Sequence, residues 1–288
     1  FYNSYLPDIA YPEQQDKLSA KGYSLGYIGS VILMIVNLLM VLNPSWFNIV
    51  EPTEALAAEK AMRISFLTVG VWWIVFAQYS FKHLPLYQSK GKITKNVVFS
   101  GVIELKKVWQ ILKQNPTLKK YLEAFFVYSM AVQTVMLVAT YFGEEEINWA
   151  DDSQKTFGLI ISILLIQLVA VLGAILTSKL SNKIGNIKAL IGINTIWVLI
   201  CLIAYLVTEP VHFYITAAFV GLVMGGIQSL SRSTYSKLLP ETTDTTSFFS
   251  FYDVAEKIGI VIGMLIYGAI DQITGSMRNA IVFLVVFF

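Results

Sequence analysis

Seven complete apolar runs and the start of an eighth alternate along the chain with polar connections, at residues 22–42, 62–81, 121–142, 156–178, 189–207, 213–230, 248–270 and 280–288. The complete runs are near the ~20 residues that an α-helix needs to cross the hydrocarbon core of a bilayer. In that core a spanning backbone satisfies its own polar groups only as a helix or a closed barrel. The pattern predicts an all-α integral membrane bundle with about eight spanning segments. Passing the chain back and forth through the bilayer assigns every connection to a face. Of the 21 Lys and Arg, all but Lys60, Arg63, Lys155 and Arg278 then fall on one side, and this excess marks that side as cytoplasmic.

Composition supports the same class. A hydrophobic fraction of 56% with 14% charged residues, and a mean hydropathy of +0.62, exceed what a soluble domain carries. The net charge of +2 is small. Its positive part is concentrated in the cytoplasmic connections, so it reports topology and argues against nucleic acid as a partner. Cys201 is the single cysteine and lies inside the fifth run, while His83 and His212 fall near opposite faces. No metal site and no cofactor are expected from so few ligating groups.

The organisation follows from the spacing of the runs. Residues 1–21 are expected to be a cytoplasmic lead-in, 22–82 a first pair of helices, 83–118 a basic cytoplasmic linker, and 119–288 six further helices with the last incomplete. The chain opens on Phe1 and stops about nine residues into its last run, so it is expected to be a portion of a longer protein whose further N-terminal helices are its partners. Within the linker Val98, Val102, Leu105, Trp109 and Leu112 recur at spacings of three and four, while Lys106, Lys107 and Lys113 point elsewhere. This predicts a helix on the inner membrane surface, either a latch between bundles or a connector meeting lipid head groups. Asn115 and Pro116 end it and start the third spanning helix. Three G-x-x-x-G pairs, Gly22 and Gly26, Gly221 and Gly225, and Gly259 and Gly263, predict faces where another backbone approaches closely.

Candidate chemistry lies in the polar residues inside the runs, because in hydrocarbon a polar side chain needs a partner or a water-filled cavity. Gln133 and Gln167 fall near the midpoints of their helices, Gln228 nearer the cytoplasm, and Asn37 and Asn194 off-centre. Tyr128, Ser129 and Thr134 share the helix of Gln133. Each either contacts a solute or joins helices through a hydrogen bond worth ~0.6–2 kcal/mol, with Gln133 and Gln228 the favoured solute contacts. Asp253, Glu256 and Lys257 occupy the first half of the seventh run, where a charge at depth costs ~2.5–3.5 kcal/mol or more. Asp253 and Lys257 are four apart and able to pair on one face, and Arg232 is able to reach either acid. They form either a proton-titrating or gate-closing network or a fixed ion-pair cluster near the head groups. Glu123 is expected to pair locally with Lys119 and Lys120. Glu144, Glu145, Glu146, Asp151 and Asp152 make an acidic outer loop, read as solvated or as a weak attractor for cations.

Residues 178–188 read S-K-L-S-N-K-I-G-N-I-K. The stretch resembles the loop signature G-x-L-a-D-r-x-G-r-[RK]-x of the major facilitator superfamily, with Lys183 and Gly185 in register and Lys188 at its basic end. Ser178 stands where that motif has its first Gly and Asn182 where it has Asp, which leaves the charge-pairing role of that position open. The stretches from Gly225 to Ser233, from Leu239 to Glu241, from Phe248 to Lys257 and from Val132 to Val135 resemble the vacuole-effluxer branch. That branch includes the autophagy-related amino-acid effluxers of fungal vacuoles and their bacterial relatives.

The resemblance implies helices five to twelve of a twelve-helix transporter, so that residues 22–82 become the last two helices of the N-terminal bundle and 119–288 the C-terminal bundle. It places the chain in the cytoplasmic membrane of a bacterium or the vacuolar membrane of a fungus. The implied function is secondary active transport by alternating access, moving small polar solutes, amino acids among them, with proton coupling. Solute, proton and membrane lipids are the expected partners. The sequence contains no G-x-x-x-x-G-K-[ST] loop, so the chain itself supplies no nucleotide motor. The alternatives are a solute receptor or scaffold that keeps the transporter fold, and an integral membrane enzyme. The enzyme reading needs clustered ligating or acid–base groups that neither His provides, so no enzymatic activity is expected.

Overall fold

The computed structural model describes residues 2–84, 97–242 and 244–288, with the backbone alone at 97–100. Lys90, Lys92, Lys95 and the side chain of Val98 lie outside the described residues. A short α1 (Leu6–Ile9) precedes α2 (Pro12–Leu42), α3 (Glu54–His83), α4 (Val97–Gln114), α5 (Pro116–Glu145), α6 (Asp152–Ile184), α7 (Asn186–Ala204), α8 (Pro210–Leu238), α9 (Thr245–Thr274) and α10 (Met277–Phe283). Several helices outgrow their apolar runs because local chemistry sets their ends. Pro12, Pro116 and Pro210 each stand at a first helical position, where the missing N–H costs nothing. The side chains of Thr53, Asn115, Asp151, Asp244 and Ser276 each accept from the backbone N–H three residues on, satisfying one orphan donor of the helix that follows. Gly185, at φ +88, makes the turn from α6 into α7 in a conformation that other residues resist.

Among the described residues, α2, α3, α5, α6, α7 and α8 are long and apolar enough to cross a membrane. The charged α9 and the short α10 occupy the other two of the eight expected segments. The chain is an all-α, multi-pass integral membrane protein. Phe66, Leu67 and Trp73 of α3 stand exposed, a surface that lipid solvates and water does not.

Two compact units make up the chain, Ile28–Lys95 and the combination of Phe1–Tyr27 with Asn96–Phe288. In the first, the Thr68 hydroxyl donates to Asn37 Oδ1 at 2.7 Å, so Asn37 joins α2 to α3. Met40, Ile49 and Ala61 form its small core. In the second unit the most extensive contact is between α6 and α8. There a methyl group at Gly225 would lie 2.0 Å from the Ala170 carbonyl oxygen, and one at Gly173 would lie 1.9 Å from that of Leu222. The Gly221 and Gly225 pair therefore marks a backbone-to-backbone seam. Gly26, by contrast, faces open space, and the first of the three glycine pairs is no such seam.

The linker helix α4 belongs to the second unit. It packs against α5 and α9, burying Val108 and Leu112 and stacking Trp109 on Phe251 with ring centroids 6.1 Å apart. Val102, expected on the same apolar stripe, is exposed. Val108 takes its place because the bundle recruits the flank of the stripe nearest α5 and α9.

Candidate functional site

Spacings of three to five put the polar residues of α5, α8 and α9 on facing surfaces. Tyr128 and Gln133 project from α5, Gln228 and Ser231 from α8, and Tyr252 and Glu256 from α9. Gln133 Nε2 donates to Glu256 Oε1 at 2.6 Å. Gln228 Oε1 accepts from the Tyr27 hydroxyl of α2 at 2.6 Å, and its Nε2 lies 3.8 Å from Met136 Sδ. Tyr128 shares a hydrogen bond with Ser231 Oγ at 2.7 Å. Together Tyr23, Tyr128, Tyr252, Gln133, Gln228 and Glu256 line a cavity of about 20 Å³, room for about one water molecule. The Glu256 side chain keeps 22% exposure, and the Gln133 amide supplies a partner to a carboxylate that would otherwise be costly at this depth.

The charged network is built differently from the expected pairing. Asp253 accepts from Asn3 Nδ2 at 3.1 Å instead of pairing with Lys257. Lys257 points outward, 72% exposed, with its nearest acid the adjacent Glu256 at 3.5 Å. Arg232 is 4% exposed and among the described residues reaches neither acid directly. Its guanidinium donates to Ser19 Oγ at 3.0 Å, the Ser19 carbonyl at 3.1 Å and Asn3 Oδ1 at 3.2 Å. It also lies over the Tyr23 ring at 4.6 Å and the Tyr2 ring at 5.3 Å. Asn3 thus bridges Arg232 to Asp253, because the N-terminal segment fills the space in which a direct ion pair would form.

The remaining candidates lie elsewhere. Gln167 Oε1 and Asn194 Oδ1 are buried without a hydrogen-bond partner, and neither lines the cavity of Glu256. Asn194 donates to the Leu190 carbonyl at 3.1 Å and faces a separate cavity of about 670 Å³ that also touches Tyr128. At the turn from α6 into α7, Asn182, Lys183 and Lys188 are exposed. The polar contacts there run through their neighbours to Asp16 of α2, whose side chain is 1% exposed. Asp16 accepts from Ser181 at 2.8 Å and Asn186 at 2.9 Å, and pairs with Lys237 of α8 at 2.8 Å. An acid on α2 therefore anchors the loop at which the signature's own Asp is replaced.

A model of the vacuole effluxer Atg22-like family matches residues 1–288. The chain belongs to this family. It is 29% identical to an uncharacterized MFS-type transporter, YxiO, of Bacillus subtilis over 100% of its own length and 64% of the relative's. It is 28% identical to autophagy-related protein 22-1 of Penicillium rubens over 94% of its own length and 47% of the relative's. The chain therefore spans between about half and two thirds of the curated relatives it matches. In structure it is similar to a variant of the Escherichia coli fucose:proton symporter FucP, with a TM-score of 0.63 and 16% identity, covering 99% of this chain and 69% of that one. That likeness establishes the fold.

In this effluxer-family fold the opposite end of the unit has its own anchor. Arg278 binds Glu146 at 2.6 Å and donates to the Tyr205 and Val207 carbonyls at 2.8 and 2.6 Å, placing a cation at the C-terminal end of α7. Two residues of the acidic outer loop also carry structural roles. Glu146 holds Arg278, and Asp151 caps α6. Sequence reasoning also passed over Asp16, Ser19, Tyr23 and Tyr27. A helix begun at Pro12 would have revealed them, since their spacings of three and four lie on one face.

Proposed function

We propose that this chain is part of a secondary transporter that works by alternating access and moves small polar solutes, amino acids among them, with protons coupled through Glu256. The observation that carries the reading is the Gln133 to Glu256 hydrogen bond inside a cavity lined by tyrosines and a second glutamine. A carboxylate that takes up a proton sheds the cost of holding a charge at membrane depth, ~2.5–3.5 kcal/mol or more. Protonation also changes what the Gln133 amide binds, so a proton and a polar solute compete for one set of groups. With room for about one water, the cavity fits a closed state, and α5, α8 and α9 separate to admit a solute. Membership of the effluxer family and the likeness to a proton symporter support the same reading.

The full-length protein in proteoliposomes, offered radiolabelled amino acids under an imposed pH gradient, tests it. Solute movement is expected to follow the gradient, and Glu256→Gln is expected to leave flux independent of it with the helices still inserted. Unchanged coupling in Glu256→Gln removes that residue from the mechanism. Binding without movement favours a receptor or scaffold.

A further inference from the structure

Beneath α4 lies another cavity, of about 290 Å³, that is separate from the candidate solute site. Its walls are Trp109 of α4, Leu122 and Phe126 of α5, and Phe251 and Ile258 of α9, with Lys119 and Glu123 at its edge. The volume is about twice the ~150 Å³ of an apolar cavity that takes up benzene. Basic groups surround it. Lys113 Nζ sits 5.8 Å from the centroid of the Trp109 ring that forms one wall. Lys106, Lys113 and Lys120 are exposed and among the described residues make no ion pair, whereas Lys107 pairs with Glu104 at 2.6 Å and Lys119 with Glu123 at 3.5 Å. Apolar walls with unpaired lysines around them, and with Lys119 of the lining held to Glu123 only by a long, half-exposed pair, match one chemistry at the basic end of a membrane helix bundle, an acyl chain joined to a phosphate.

We propose that this cavity binds one anionic phospholipid from the leaflet on the lysine-rich side, with part of an acyl chain between Trp109 and Ile258 and the phosphate between Lys113 and Lys119. A glycerol head group would offer hydroxyls to Glu123, whose carboxylate accepts them. The bound lipid fills the gap between α4 and the bundle and so holds the linker helix in place. The inference is independent of which solute the protein moves.

The full-length protein is reconstituted with bromine-labelled phosphatidylglycerol or bromine-labelled phosphatidylcholine, and quenching attributable to Trp109 is taken as the difference from Trp109→Phe. Quenching by phosphatidylglycerol is expected to saturate at low mole fraction, with an apparent affinity about tenfold above that for phosphatidylcholine. The double variant K113Q/K119Q is expected to remove the preference, and Ala255→Phe, which fills the cavity, to remove the saturable component. Mass spectrometry of the intact wild-type protein is expected to retain one phosphatidylglycerol through delipidation. Equal quenching by the two lipids, rising in proportion to mole fraction, or loss of all phosphatidylglycerol before phosphatidylcholine, overturns the proposal.

Discussion

The contacts of α6 with α8 and of α5 with α9 are both helix pairings within one unit, and they are made of different material. Along α6 and α8, Gly173, Gly221 and Gly225 let backbone approach backbone, so at these positions no side chain separates the two helices. Along α5 and α9, Gln133 meets Glu256 and Phe125 stacks on Tyr252 with ring centroids 4.1 Å apart; a methyl group at Gly263 would press on the Thr134 hydroxyl at 2.2 Å, while Gly259 leaves ordinary van der Waals space to Met130. A backbone seam moves as a rigid body. A side-chain contact built on one charge and one amide has alternatives, since either partner is able to bind water, a proton or a solute. The contrast teaches where this fold is able to change and where it is not.

Breaking the rigid side gives the largest expected effect. Gly225→Ala sets a methyl group against the Ala170 carbonyl and is expected to destabilise the protein by about 3 kcal/mol, the upper end for an overpacked contact, as measured by denaturation in detergent micelles. Asp16→Asn tests whether the loop beside the seam depends on charge. Its pair with Lys237, which is 23% exposed, lies between the ~0–1 kcal/mol of a surface pair and the ~3–5 kcal/mol of breaking a buried one. A loss of about 2 kcal/mol is expected, with partial recovery when Lys237→Met is added. Gly259→Ala sharpens the comparison from the other side. Its methyl group would lie 3.5 Å from Met130 Cβ, so a gain of about 0.5 kcal/mol from helix propensity is expected in the same measurement. A large loss at Gly259, or none at Gly225, would erase the distinction between the two contacts.

The glycine patterns illustrate how far the sequence could be read. Gly221 and Gly225 were recognisable by spacing, yet Gly26 has the same spacing and touches nothing. Gly173, which makes the closest approach, has no glycine four residues away. Spacing reports that a face is smooth and says nothing of what lies opposite. The same holds for the site. Gln133, Gln228 and Glu256 were legible as polar groups in apolar runs, and the cavity brings them together. Gln167 and Asn194 satisfied the same criterion and lie elsewhere. Tyr23 and Tyr27, amphipathic residues at the start of the first apolar run, carried no such mark.

The number and order of the apolar segments, and the lysine-rich face, follow from the order of residues alone. Bilayer thickness and the asymmetry of basic residues act on each segment separately. Which groups meet was settled only by packing. Asp253 turns to Asn3 and not to Lys257, and Glu256 turns to Gln133. The physical reason is rotational. A helix that faces lipid is apolar around much of its circumference, so hydrophobic periodicity does not set its angle about its own axis, and that angle is fixed by neighbouring helices.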